Sequence, residues 1–140
     1  MHQIIALFGE AEKGEVSSLI FVKSLIHLND LLGHPTDDSL GIFFAIQSLL
    51  YKQEVIFIRV KEEGFSTKDY LRGMQQLLNK KKVPRLTAIF LPGVGDTHII
   101  DAATTVIKAH AAVIIMTERD LYDYLTSLPP SKNLGDQAMS

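Results

Sequence analysis

Acidic side chains gather where the chain is expected to turn, and they carry most of the chemistry this sequence can offer. Glu10 and Glu12 fall in "GEAEKGE", Glu63 in "KEEGFS", Asp96 in "PGVGD" and Glu118 in "TERD". Carboxylate oxygens suit Mg²⁺, a hard cation that takes oxygen ligands and keeps several waters. An ion held by Glu10, Glu12, Glu63, Asp96 and Glu118 could position a phosphate or activate water. His98, two residues beyond Asp96, could then move a proton, so Glu10, Glu63, Asp96 and His98 form the candidate catalytic set. The competing account is structural, since acids are favourable at helix N-termini and three of these turns open onto expected helices.

Two glycine turns invite a different test. In "LPGVGDTHII", Gly93 and Gly95 can present backbone N–H groups ahead of a helix, the arrangement that cradles phosphate or carboxylate. Asp96 competes for the same donors as an N-cap. In "LFGEAEKGEV", Gly9 and Gly14 have the spacing of a phosphate-binding loop, yet Glu15 and Val16 stand where Lys and Ser/Thr are needed. Glu15 brings the wrong charge and Val16 has no oxygen for Mg²⁺, which argues against an ATPase or GTPase of that kind. "GVGD" lacks the third glycine of a dinucleotide fingerprint. The five histidines make no HExxH pair that would hold zinc, and Ser17, Ser18 and Ser66 lie in no GxSxG elbow.

Bulk properties narrow the classes further. The chain has 140 residues, a net charge of -2 and 21% charged residues, which gives no long-range attraction to nucleic acid or anionic lipid. "NKKKVPR" is its one concentrated basic run and lacks interleaved aromatics. The absence of cysteine excludes thiol catalysis, thiolate metal sites and disulfides. No apolar segment is long enough to span a membrane, and a cytoplasmic setting is expected.

The elements that must position these residues alternate. "QIIALF" (3–8) is expected as a buried strand; residues 19–24 as a strand; "SLIHLNDLLG" as a short helix stopped by Gly33; and "SLGIFFAIQSLLYKQ" as a helix apolar on nearly every side. "VIFIRV" (55–60) reads as a central strand with Arg59 at an edge or in a cleft. Ser66 and Asp69 make a capping-box pattern, with Phe65 and Tyr70 as the staple and Tyr70, Met74, Leu77 and Leu78 as the buried stripe. Lys80, Lys81 and Lys82 suit the end of that helix. "RLTAIFLPG" supplies a strand, Asp96 an N-cap, and Val113–Met116 a further strand. Thr117 and Asp120 form a second capping pattern, and Leu121, Tyr124, Leu125 and Leu128 the apolar face of a last helix.

Short apolar strands without polar alternation predict a parallel sheet covered on both faces. The expected fold is therefore a three-layer α/β/α sandwich with a mostly parallel sheet of four or five strands, Rossmann-like or flavodoxin-like. One domain covers residues 1–130, followed by a flexible tail over 131–140. Right-handed crossovers bring the acidic turns to one sheet edge, where such folds bind ligands. Two functions fit that edge: a small non-catalytic module for an anionic ligand or a protein partner, a second copy in a homodimer included, or a Mg²⁺-dependent phosphoryl-transfer or hydrolytic enzyme. The first is preferred because it requires no convergence of the acids.

Overall fold

The computed structural model describes residues 3–36 and 39–127. Five strands form one sheet in the order β2-β3-β1-β4-β5. The central strand β1 (Ile4–Gly9) runs parallel to β3 (Glu54–Arg59) on one side and to β4 (Ala88–Phe90) on the other, and β5 (Val113–Ile115) extends the parallel set. β1 and β3 are apolar on both faces, as a sheet sandwiched between helices requires. The chain leaves β1 toward β3 and then crosses back over β1 to β4. That reversal is the topological switch point, where open α/β sheets form a crevice.

The helices divide between two faces. α1 (Leu25–Leu32) and α2 (Gly41–Leu50) bury Leu28, Leu32, Ile42 and Ala45 against Leu7, Val55 and Phe57. α3 (Thr67–Leu77) and α4 (Thr97–His110) bury Tyr70, Met74, Leu77, Ile99 and Val106 against Phe8, Ile58 and Ile89 on the opposite face. The Tyr70 ring stacks on Phe8 with centroids 5.3 Å apart, an aromatic pair worth about 1 kcal/mol beyond its buried area. α5 (Glu118–Ser127) follows β5, and its Tyr124 packs on the α3 and α4 core. The result is a three-layer α/β/α sandwich with a mixed, mostly parallel sheet of the Rossmann or flavodoxin kind. Among the described residues no helix is long and apolar enough to cross a membrane.

Local details depart from the sequence expectations for identifiable reasons. β2 (Ile20–Val22) is shorter than residues 19–24 and pairs antiparallel with β3, because the chain from β1 loops over the end of β3 before returning along the sheet edge. Arg59 lies in that loop's path: its guanidinium donates to Gly14 O, and its own carbonyl accepts from Ser17 N. The Ser66–Asp69 capping box does not form. Ser66 Oγ instead accepts from Glu62 N at 2.7 Å, and Asp69 accepts from Lys61 N at 3.0 Å. Phe65 is 75% exposed and makes no staple, while Tyr70 is buried.

Lys80 serves a different helix from the one expected, since its Nζ donates to Ala109 O in the last turn of α4. Leu78 and Leu121 are exposed. In α5 the buried contacts come from Asp120 and Tyr124, and Leu128 lies outside the described residues, as does the expected tail at 131–140. Thr117 does cap α5, with Oγ1 accepting from Asp120 N at 3.1 Å.

Candidate functional site

α2 begins at Gly41, and the residue in its N-cap position is Leu40, which has no side-chain acceptor. A helix start of this kind leaves backbone N–H groups without partners unless another element supplies them. Glu63, on the loop between β3 and α3, does so. Its Oε2 accepts from Leu40 N at 2.8 Å, and its Oε1 accepts from Gly41 N at 2.9 Å and from Ser39 Oγ at 3.2 Å. Placing an anion at the positive end of a helix is favourable in its own right.

Glu10 completes the arrangement. Its N–H donates to Glu63 Oε1 at 3.2 Å, while its Oε2 accepts from Glu63 N at 2.9 Å, so the two acids clasp each other's backbone. Room for the clasp comes from two glycines. A Cβ on Gly9 would lie 2.7 Å from both Gly41 Cα and Glu63 Oε1. The helix therefore starts directly on the carboxyl end of β1, and the carboxylate occupies the place where this fold offers N–H groups to a phosphate.

The neighbouring turn is closed in the same manner. Gly93 N donates to Asp120 Oδ2 at 2.7 Å, and Asp96 Oδ1 accepts from His98 N at 2.7 Å and Ile99 N at 3.2 Å as the N-cap of α4. Gly64 and Gly93, both at positive φ, press the two loops together so closely that a Cβ on Gly64 would overlap Gly93 O. Beneath them Tyr70 Oη accepts from Gly64 N at 2.7 Å. Burial raises the Tyr70 phenol well above its ordinary range, the Gly64 N–H lowers it in part, and the charges of Glu63, Glu10 and Asp120 raise it further. The phenol stays neutral and acts as a fixed partner of the loop.

The five acids expected to hold a cation thus separate. Glu10 and Glu63 meet, and both are engaged by backbone N–H groups. Glu12 is exposed and folds over Gly33. Asp96 caps α4, and Glu118 is exposed on the first turn of α5. Among the described residues no three His, Asp or Glu side chains gather in a way that could hold a metal ion. His98 is exposed, and its bond to Asp96 is made by the backbone. Of the anion-binding turn, Gly93 has its N–H taken by Asp120, and Gly95 lies against Asp123. The "LFGEAEKGEV" loop is no phosphate loop, since no helix starts after Gly14 and Val16 instead forms a bridge with Arg59.

Two clefts open on the rim around Phe65 and Thr67. One, of about 270 Å³, is bounded by Gly64, Gly93, Gly95, Asp96 and Asp123. The other, of about 490 Å³, is bounded by Lys61, Lys68 and Arg72 with Ser66 and Asp69. Sequence reasoning missed Ser39, Leu40 and Gly41 as the donors at the centre of the site and Asp120 as the partner of the glycine turn. One signal was present: a charge-free helix opening "SLGIFF" with leucine at its N-cap needs an acceptor from elsewhere. No protein-family model matches the chain, and comparison with curated proteins found no significant match.

Proposed function

We propose that this chain is a non-catalytic recognition module that presents the carboxyl edge of its sheet, around Phe65, to a protein partner. One observation carries the reading. The N–H groups that would greet an anionic substrate at the switch point already bind Glu63, Asp96 and Asp120 of the chain itself. An aromatic ring held in water beside Lys61, Lys68 and Arg72 is a feature of protein-binding surfaces, where aromatics and arginine are enriched. A cytoplasmic setting belongs to the same reading. The Mg²⁺-dependent alternative would set a cation against Glu63, whose two oxygens already accept four hydrogen bonds.

Amide NMR of the labelled chain, titrated with Mg²⁺ and inorganic phosphate to about 10 mM, tests this. The Leu40, Gly41, Gly93, His98 and Ile99 resonances are expected to stay in place, and a phosphatase and nucleotidase screen to give no turnover. Saturable shifts of those amides, with Mg²⁺-dependent turnover that Glu63→Gln abolishes, would overturn the reading in favour of the enzyme.

A further inference from the structure

The α2 side of the sheet loses its cover at one edge. Side chains alternate across a strand, and Ile114 packs into the α3 and α4 core, so Val113 and Ile115 point to the opposite face. The register then sets Val55, Ile5, Ala88 and Val113 in one row on that face. Their exposures run 1%, 3%, 2% and 59%. The parallel row of Phe57, Leu7, Phe90 and Ile115 ends the same way, in an exposed isoleucine.

An apolar wall rises beside this floor. Phe44 of α2 stacks on Phe90 with centroids 4.2 Å apart, and Phe43 meets Phe44 edge to face at 5.5 Å. Phe43 is itself 52% exposed. Three charge-free stretches build the whole shelf: residues 39–51, 86–95 and 111–117 contain no Asp, Glu, Lys or Arg. β5 is also an edge strand with none of the lysines or prolines that usually guard such an edge.

We infer that a second copy of this chain covers the shelf, with α2 and β5 of each protomer meeting those of the other across a two-fold axis. A two-fold interface sets a patch against itself, and a patch without formal charge does so with no like-charge pair. A strongly charged partner would find nothing here to neutralise it. The exposed parts of Leu40, Phe43, Leu50, Val113 and Ile115 offer roughly 500 Å² per copy, or about 1,000 Å² for the pair, at the lower end of what specific complexes bury. This inference does not depend on the reading of the rim.

Sedimentation velocity of the full chain tests it. The wild type is expected to sediment as a dimer with a Kd of about 10 μM or tighter. Val113→Glu and Phe43→Glu, each at an exposed position, should both weaken association at least tenfold with unchanged circular dichroism. Ile26→Glu, at an exposed site on α1, should leave the dimer intact. A wild type that stays monomeric at about 100 μM overturns the inference, whether the shelf is covered by the chain's own C-terminal residues or by a different protein. A dimer that survives both shelf substitutions, or that Ile26→Glu disrupts equally, overturns it too.

Discussion

Removing the Glu63 carboxylate separates a structural cap from a functional acid by the sign of the stability change. Glu63→Ala leaves four donors without their acceptor: the N–H groups of Leu40, Gly41 and Glu10, and the Ser39 hydroxyl. Leu40 is exposed, so water can take its N–H, and Ser39 Oγ retains Glu10 O at 3.3 Å. Gly41 is buried between β1 and Phe57, and Glu10 is half-buried. These two donors carry the cost. A buried donor left unsatisfied costs about 1–3 kcal/mol, and loss of the anion at a helix start adds about 0.5–1 kcal/mol. Water entering the vacated space offsets part of this, for a net loss of about 2–3 kcal/mol.

For a domain of this size that corresponds to a Tm lower by about 6–10 °C. Glu63→Gln keeps one oxygen for Gly41 and Glu10 but turns an amide NH₂ toward Leu40 N–H, so it should cost about 1 kcal/mol, or about 3 °C. Thermal melts give Tm for both variants, and urea denaturation followed by circular dichroism, with the slope checked for constancy, gives the free-energy change. Acids held together for chemistry usually cost stability, and deleting one raises Tm. An unchanged or raised Tm in Glu63→Ala would therefore refute the capping argument and return Glu63 to the catalytic set.

Three further outcomes follow from the same geometry. Gly41→Ala should destabilise by about 2–3 kcal/mol in thermal melts although alanine is the better helix former, because its Cβ would lie 2.7 Å from Gly9 Cα. Tyr70→Phe should cost about 1–2 kcal/mol by orphaning Gly64 N–H. Since folding raises the Tyr70 phenol, the unfolded chain loses that proton first as pH climbs past about 10, so the contribution is complete below pH 10 and fades above it, which alkaline urea titrations of wild type against Tyr70→Phe would detect. Ala111, which closes α4 with φ 54° and ψ 41°, sits in the left-handed region, and Ala111→Gly should stabilise by about 0.5–1 kcal/mol in the same assay.

What the sequence disclosed was whatever depends on neighbours along the chain. The apolar runs at 3–8 and 55–60, the Asp96 cap and the Tyr70, Met74 and Leu77 stripe all rest on local periodicity, and all are present in the fold. The antiparallel edge strand, by contrast, depends on Ser17 N finding Arg59 O, a pairing 42 positions apart that no local pattern announces. Ser66 and Asp69 had a valid local solution and abandoned it, because Glu62 N and Lys61 N needed acceptors in the packed loop. Which donors Glu10, Glu63 and Asp120 meet is set by the approach of Gly9 to Gly41 and of Gly64 to Gly93. Close backbone approaches of this kind are tertiary events, visible in sequence only as unexplained glycines.

The Glu63 clasp also sets the terms on which any outside anion could enter the crevice. A phosphate approaching the start of α2 meets N–H groups already bound to a carboxylate that is tethered to the same fold. Even a short flexible tether gives such a competitor an effective concentration in the millimolar range, and here Glu63 is pre-oriented by its own N–H bond to Glu10. A free phosphate must exceed that concentration or add contacts elsewhere. Glu10 and Glu63 would meet it with two negative charges, whereas the cations Lys61, Lys68 and Arg72 lie along the separate cleft beside Phe65. On the proposed reading, an acidic group of a protein partner would therefore meet cations beside the exposed Phe65 ring rather than at the switch point.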